Sequence, residues 1–283
     1  MKRDSLWKLC VMPMYLFTLV FVLGPMIYLV AVSFATNAEG YGFTWKFTLD
    51  NFRKMAEPVY LQCFKQSFQL AFSTTALCIL IGYPFGYFMG RLSPAGKKLL
   101  MFLIMVPFWT SSLIRLYGWL ILLQAKGIVN SLLQFFGLVD TPLKILYTYP
   151  AVLIGMVYAL LPFMMLSVYT SVEKLDWSLA EAARDLGASP ARTFLTVTLP
   201  LTMPGLLSGI MLTFVPSMGL FFIADILGGN KIVLVGSLIQ DQLTRGSNWP
   251  FAAALALVLA VLTSLMLWLY RVVTRSDSSE VFL

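Results

Sequence analysis

The sequence contains no histidine, and only 12% of its 283 residues are charged. Without histidine, the chain has neither an imidazole general base nor an imidazole metal ligand. It also lacks the G-x-x-x-x-G-K-[ST] pattern, which excludes nucleotide hydrolysis by a P-loop of its own. Soluble domains carry about 25% charged residues, roughly twice the fraction found here. These absences argue against a soluble enzyme and predict no catalytic residue, metal or cofactor in this chain.

Cysteine is scarce as well, with Cys10, Cys63 and Cys78 far apart and odd in number. Two of them lie in or near apolar runs, which favours small buried hydrophobic residues over a redox or metal role. The formal net charge is +7, but no basic block or basic helical face concentrates it. We therefore expect no nucleic-acid partner, since a basic excess in an apolar chain more often sets membrane topology.

What the sequence has in abundance is apolar residues, which make up 59% of the chain and raise its mean hydropathy to +0.82. A helix needs about 20 such residues to cross a bilayer. Six segments qualify: residues 9–34, 68–89, 99–123, 151–169, 206–226 and 251–270. The first exceeds the length of a signal-peptide core and predicts an uncleaved anchor. We expect an all-α membrane protein with one transmembrane domain over residues 1–283.

Lysine and arginine are distributed unequally between the two sides of these spans, eleven on one side and eight on the other. The short loop RLSPAGKK at residues 91–98 places three of the eleven between two spans, where the positive-inside bias is strongest. The asymmetry predicts that both termini are cytoplasmic, together with the segment between the fourth and fifth spans.

Arg115 is the remaining cation and falls inside the third predicted span. An arginine at membrane depth is costly and faces protein or a water-filled cavity. We expect it to pair with a carboxylate or with backbone carbonyls rather than to bind substrate. An Arg115 that lined the path openly would instead favour an anionic substrate.

A polar, helix-forming segment interrupts the apolar chain at Ser178–Gly205, with the sequence SLAEAARDLGASPARTFLTVTLPLTMPG. Ser178 and Glu181 fit the S-x-x-E capping box and predict a helix that begins at Leu179. Gly187 stands where a left-handed glycine commonly ends a helix. The segment therefore predicts a short helix with a defined start and stop.

A second helix is predicted directly after this glycine. Ser189 is a good N-cap, and Pro190 takes the first helical position, where proline is tolerated. The pairs Leu199-Pro200 and Pro204-Gly205 predict a break before the fifth span. Acidic residues outnumber basic ones over residues 173–192, which favours docking into a protein groove, although an ordered interfacial loop stays an alternative.

The spacing within this segment resembles a known pattern. Glu181-Ala182-Ala183, three residues, Gly187, nine residues, Val197, one residue and Leu199-Pro200 is similar to E-A-A-x3-G-x9-I-x-L-P, with Val197 in place of isoleucine. That pattern is the EAA loop of bacterial ABC-importer permeases. The resemblance implies a fold of six transmembrane helices of the type I importer permeases, with a cytoplasmic coupling helix between spans four and five.

In this family the loop docks into a cleft of a separate ATPase subunit. By resemblance, the coupling residues are Glu181, Ala182, Ala183, Arg184, Leu186, Gly187 and Pro200. The implied partners are an ATPase homodimer that binds ATP and Mg²⁺, a second, homologous permease, a periplasmic or lipid-tethered binding protein, and the lipid of a bacterial inner membrane.

Further stretches resemble the polyamine branch, in particular the permeases of spermidine/putrescine importers: TLDNF, VPFWTSSLIRLYGW, GLVDTPLKIL, VYALLPFMMLSVYTSVEKLD and VPSMGLFFIADILGG. The putrescine-specific relatives are expected to carry glutamate after the residue that corresponds to Gly219. This chain has Leu220 there, which favours a spermidine-preferring type. The implied binding protein is then one for polyamines.

A flexible alkyl ammonium needs an acidic group at the mouth of its path and aromatic faces along it. Asp225 lies at the predicted external end of the fifth span, and aromatic residues accompany it there and beside Pro107. The candidate path residues are Trp109, Tyr117, Tyr158, Phe221, Phe222 and Asp225. Each has a structural alternative: a helix cap for the aspartate, an interfacial belt or core packing for the aromatic residues.

A different class, a stand-alone secondary transporter or channel for small cations, is the main alternative. Such proteins commonly show internal symmetry or intramembrane carboxylates for ion coupling. The middle of each predicted span contains no Asp or Glu, and the EAA-like loop would have no role. A membrane enzyme is disfavoured because histidine and any acidic or cysteine cluster are missing.

Overall fold

The computed structural model describes residues 12–38, 42–229 and 231–280, with side chains described as far as residue 272. This part of the chain is helical apart from one short hairpin, in which β1 (Thr36–Asn37) pairs antiparallel with β2 (Phe43–Thr44). The helices are α1 (Met12–Ser33), α2 (Asp50–Met55), α3 (Pro58–Gly90), α4 (Pro94–Met105), α5 (Ser112–Leu122), α6 (Ile128–Phe135), α7 (Tyr149–Glu173), α8 (Trp177–Asp185), α9 (Pro190–Gly219), α10 (Phe221–Gly228), α11 (Val235–Thr244) and α12 (Trp249–Glu280).

Five of the described helices are long and apolar enough to cross a membrane, namely α1, α3, α7, α9 and the part of α12 over Trp249–Val272. A sixth candidate is a bent pair of helices, since α4 with its terminal turn meets α5 at an angle of 93°. The third predicted span, residues 99–123, therefore consists of two helices that meet just after Pro107. The predicted start of the first span at Leu9, like Cys10, lies outside the described residues.

The break in the third span has a local cause. Pro107 lies in a 3₁₀ turn, Val106–Trp109, that ends α4. Proline cannot donate an N–H to the preceding turn and its ring clashes with the carbonyl four residues earlier. Thr110 and Ser111 then adopt extended backbone angles, with ψ of 150° and 135°, and α5 starts in a new direction.

The fifth span differs from its prediction at both ends. It begins at Pro190 and runs without interruption to Gly219, so the predicted break at Leu199-Pro200 and Pro204-Gly205 is wrong. A π-helical turn, Phe194–Thr198, precedes these prolines. Its wider hydrogen-bonding pattern accommodates a residue that cannot donate an i→i−4 bond, because a π turn shifts the register of the ladder.

The described chain divides into two compact units. The first comprises residues 12–38, 42–62 and 238–264. Within it, the Asn51 amide donates hydrogen bonds of 3.0 and 2.9 Å to the carbonyls of Ser33 and Ala35. Because Asn51 is buried, these two bonds satisfy its donors and hold the start of α2 against the end of α1.

The second unit comprises residues 63–229, 231–237 and 265–280, and its packing centres on α7. Three glycines at four-residue spacing, Gly82, Gly86 and Gly90, lie on one face of α3 against α7. A Cβ atom at Gly86 would lie 2.8 Å from the Met165 carbonyl oxygen, and one at Gly90 would lie 2.5 Å from a Val172 methyl. The two backbones therefore approach as closely as small-xxx-small packing permits.

Helix α9 approaches α7 on another side in the same manner. A Cβ atom at Gly205 would lie 2.3 Å from the Ser171 hydroxyl oxygen, and the Ser167 hydroxyl donates a 3.0 Å hydrogen bond to the Gly205 carbonyl.

Cys78 is buried and reduced on the inner face of α3, and Cys63 is also buried and reduced. The expectation that these two cysteines are buried apolar residues is confirmed.

We expect Gly86→Ala to lower the free energy of unfolding by about 1–3 kcal/mol, because the added methyl group must displace backbone of α7. The measurement is thermal unfolding of the purified protein in detergent. Gly118→Ala is the matched control, since a Cβ atom at Gly118 meets nothing within 4 Å. Equal transition temperatures for the two variants would contradict the close packing of α3 on α7.

Candidate functional site

The polar segment of the sequence forms two helices, but the first begins earlier than its capping box predicts. Asp176 is the N-cap of α8, and its carboxylate accepts a 3.0 Å hydrogen bond from the Ser178 N–H. Hydrogen bonding by Ser178, first by its side chain and then by this N–H, lowers the pKa of the Asp176 carboxyl. The predicted start at Leu179 with Ser178 as cap is wrong, because Asp176 is an equally good cap two residues earlier and brings Trp177 into the helix.

The turn after α8 matches its prediction. Gly187 has a φ of +86°, in the left-handed region, and its N–H donates to the Arg184 carbonyl at 2.9 Å. The Ala188 N–H donates to the Ala183 carbonyl at 3.0 Å, which completes a Schellman motif. Ser189 then accepts from the Arg192 N–H at 3.3 Å, with proline in the first helical position of α9. We call residues 177–198 the helical hairpin.

The outer surface of the helical hairpin combines acidic and apolar groups. Leu186 is 90% exposed at its tip, and Leu179, 48% exposed, lies seven residues earlier, about two helical turns back. Glu181, Ala182 and Arg184 are exposed beside them. Of the other predicted coupling residues, Ala183 is half-buried, Gly187 is exposed at the turn, and Pro200 is exposed in α9. Most of the predicted coupling residues are thus exposed within this chain.

The inner surface of the helical hairpin is fastened to the end of α3 by aromatic rings and one cation. The Arg91 guanidinium carbon lies 4.7 Å from the ring centre of Trp177 and 5.5 Å from that of Tyr87. Tyr87 and Phe194 meet edge to face at 5.9 Å. Such cation–π and edge-to-face contacts contribute about 0.5–1.5 kcal/mol each. A cavity of about 280 Å³ between these residues also reaches Glu181.

Sequence reasoning missed this fastening. The available signal was an aromatic residue and an arginine at i and i+4, Tyr87 and Arg91, at the end of a span. Their partner Trp177 is distant in sequence and gave no signal of its own.

A second cavity, of about 330 Å³, lies where the broken third span meets α7, α9 and α10. We call it the aromatic cavity. Its polar and aromatic lining residues are Phe108, Ser112, Arg115, Tyr158, Phe163 and Phe222. Apart from these, the lining is aliphatic.

The structure brings only two of the predicted path residues into the aromatic cavity, Tyr158 and Phe222. Trp109 and Tyr117 are 74% and 56% exposed and do not line it. Phe221 lies on α10 beside Phe222, with a ring separation of 6.3 Å, but outside the lining. The signal that would have added Phe108 and Phe163 was weak, since both are ordinary apolar residues within spans.

Asp225 lies on α10, beyond the end of the fifth span, and not at the tip of that span as expected. The span ends at Gly219 because Leu220, with φ of −77° and ψ of 61°, leaves the helical conformation. The half-buried Asp225 carboxylate accepts a 2.9 Å hydrogen bond from the Ser237 hydroxyl through one of its oxygens.

Arg115 is half-buried at the aromatic cavity and lacks the partner expected for an arginine inside a span. Its guanidinium carbon lies 5.3 Å from the ring centre of Phe108 and 5.9 Å from that of Tyr158. The Nε atom is buried and has no hydrogen-bond partner among the described residues. No described carboxylate lies within 4.0 Å of the guanidinium. The expected carboxylate or carbonyl partner is therefore absent from the described chain, and aromatic faces take its place.

The sequence is similar to known membrane transport proteins. Residues 82–276 match the sequence family described as binding-protein-dependent transport system inner membrane component. The chain is 43% identical over 261 residues to the spermidine/putrescine transport system permease protein PotB of Escherichia coli (strain K12), covering 92% of this chain and 95% of that protein. It is also 43% identical over 268 residues to PotB of Haemophilus influenzae, covering 95% and 94%.

The fold agrees with a solved transporter. A crystal structure of a bacterial ABC transporter involved in the import of the acidic polysaccharide alginate superposes with a TM-score of 0.76, covering 97% of this chain and 96% of that one at 18% identity. This likeness shows the fold alone, which is the all-α fold of type I ABC importer permeases. The family match covers more than half of the chain. This protein thus belongs to the binding-protein-dependent transport system inner membrane components, the multi-pass permeases of ABC importers.

Proposed function

We propose that this chain is the permease subunit through which an ATP-driven importer moves polyamines, spermidine and putrescine among them. The main support for a polyamine cargo is the 43% identity to the PotB permeases over at least 92% of the chain. The aromatic cavity supports it, because the faces of aromatic rings attract alkyl ammonium groups by about 0.5–2 kcal/mol each. Contacts of this strength orient a cation and still release it.

In this proposal the helical hairpin receives the force of ATP hydrolysis. Its exposed Leu186, Glu181 and Arg184 match the groove of an ATPase better than the surface of an anionic membrane. Behind them, the Arg91–Trp177 contact connects the hairpin to α3, and α9, which begins within the hairpin, is itself the fifth span. A displacement of the hairpin would move two membrane helices together.

The proposed assembly contains an ATPase homodimer, a second, homologous permease and a polyamine-binding protein on the outer side. The positive-inside bias places both termini and the helical hairpin in the cytoplasm. Of the residues that set this bias, those in the first eleven positions lie outside the described residues, but Arg91, Lys97 and Lys98 stand at the same end of α3 and α4 as the hairpin. The Lys97 ammonium also pairs with Glu173 at 3.3 Å.

One observation favours a second candidate, an anionic cargo, because Arg115 lines the aromatic cavity. Comparing uptake of labelled spermidine with uptake of a labelled dicarboxylate by the assembled transporter separates the two. Saturable, ATP-dependent uptake of the dicarboxylate alone would overturn the polyamine proposal.

Glu181→Lys is expected to abolish binding-protein-stimulated ATP hydrolysis and transport while membrane insertion stays intact. The change reverses the charge of an exposed side chain on the docking surface, which also lines the cavity beside Arg91 and Trp177. The measurements are uptake in cells and ATPase activity of the purified complex. Glu57→Lys, an exposed charge reversal between α2 and α3, is the control. Normal transport by Glu181→Lys would remove the hairpin from the docking role.

Gly187→Val is expected to uncouple the transporter, because a β-branched residue at a φ of +86° is strained by about 1–2 kcal/mol. Gly187→Asn keeps more activity, since asparagine tolerates the left-handed region. Nothing lies within 4 Å of a Cβ atom at this position, so backbone conformation and not side-chain clash decides the outcome. Co-purification of the ATPase with each variant measures docking directly. Equal ATPase recovery for both would contradict this reasoning.

Asp225→Asn is expected to raise the KM for spermidine uptake by about ten- to a hundredfold, because a charged hydrogen bond contributes about 1.5–3 kcal/mol. In the native protein, one oxygen of the Asp225 carboxylate accepts a hydrogen bond from Ser237, and the other is left for a substrate ammonium. Asp241→Asn is the control, an exposed carboxylate paired only with Arg245 at 3.5 Å. An unchanged KM for Asp225→Asn would exclude Asp225 from the path.

A further inference from the structure

The aromatic cavity, which the proposed function assigns to the path of the cargo, holds a cation of the protein itself. Arg115 stands between Phe108 and Tyr158, and no acidic residue is among the residues that line this cavity in the described chain. Arg115 is half-buried, and its buried Nε atom has neither a counter-ion nor a hydrogen-bond partner among the described residues, which is unfavourable. Its position therefore calls for a functional reason that packing does not supply.

The break in the third span adds a second positive element. Helix α5 starts at Ser112, which lines the cavity, and Arg115 is in its first turn. The first N–H groups of a helix have no intrahelical acceptor and give that end a partial positive charge. In a continuous third span, these N–H groups would instead donate hydrogen bonds to carbonyl groups of the preceding turn. The 93° bend instead sets a helix N-terminus and an arginine at one cavity.

The surroundings do not resemble a site for a bound anion. The rings of Phe108 and Tyr158 turn toward the guanidinium, and ring faces are electrically negative. Apart from Ser112, Arg115 and the Tyr158 hydroxyl, the side chains that line the cavity are apolar. A carboxylate or phosphate placed here would meet few donors besides the arginine.

We propose that Arg115 and the N-terminus of α5 form an electrostatic barrier that stops small inorganic cations from crossing the aromatic cavity in the resting transporter. Arginine side chains and positive helix ends exclude cations and protons from water-conducting pores by the same physics. The inference rests on the proposed role of this chain in forming the path, and it is independent of which cargo passes.

The barrier is removable, which a transport cycle requires. In the described chain, the guanidinium is held by two rings and by neither an ion pair nor a hydrogen bond at Nε. Movement of α7, which carries Tyr158, away from the turn that carries Phe108 would release it from these rings. The cargo then passes only in the conformation that ATP turnover produces.

The test is passive leak of rubidium ion from liposomes that contain the full transporter with its partner subunits, without ATP or polyamine. We expect Arg115→Gln to leak about tenfold faster than wild type, because the charge is gone while a polar side chain remains. Arg115→Lys should leak at the wild-type rate, since it retains the charge. Arg245→Gln, which removes an exposed arginine, is the matched control and should also leak at the wild-type rate.

Several outcomes would overturn the barrier. If Arg115→Gln leaked at the wild-type rate, the charge would form no barrier. If Arg115→Lys leaked as fast as Arg115→Gln, the positive charge would not be what blocks the cation. Protection of wild type, but not of Arg115→Gln, by citrate against thermal unfolding would assign the arginine to an anion site. If Arg115→Gln does not assemble, Arg115→Met, which keeps an unbranched stem, provides the same comparison. Absence of spermidine-stimulated ATPase in wild type would refute the cargo, and the leak measurement would still decide the barrier.

Discussion

The close approach of α3 and α9 to α7 is the constraint on which the rest of the second unit depends. Inside a bilayer, lipid tails are as apolar as leucine, so helices associate through contact and hydrogen bonds and not through exclusion of water. Glycines on α3 and Gly205 on α9 provide that contact. Because this contact positions both helices, the ends that carry Tyr87 and Phe194 meet, and Trp177 packs against Tyr87 and Arg91. The helical hairpin owes its position to packing that occurs deep in the spans.

Local chemistry made the hairpin's turn and the continuous apolar spans predictable from the sequence. Gly187 and Ser189 act through their own backbone and near neighbours, so their roles follow from residue type and spacing. The start of α8 was predicted wrongly since two adequate caps lie two residues apart, and the choice between them depends on Trp177 packing against α3. Tertiary contacts decided between local options of similar strength.

The aromatic cavity could not be predicted because it arises where helices bend. Composition makes residues 99–123 a single span, and only the proline, followed by two extended residues, turns α5 away. That change of direction also separates Trp109 and Tyr117 from the cavity and brings Arg115 into it. Asp225 and Phe221 differ from their predicted positions for a similar reason. The fifth span ends at Gly219, and a new helix begins at Phe221.

The uninterrupted course of α9 has a mechanical consequence. Thirty residues in one helix extend about 45 Å at 1.5 Å per residue. A helix of that length that moves as one body acts as a lever arm, so a tilt of about 5° at Pro190 would shift the far end by about 4 Å. Small rotations at one surface therefore become displacements comparable to a side chain at the other.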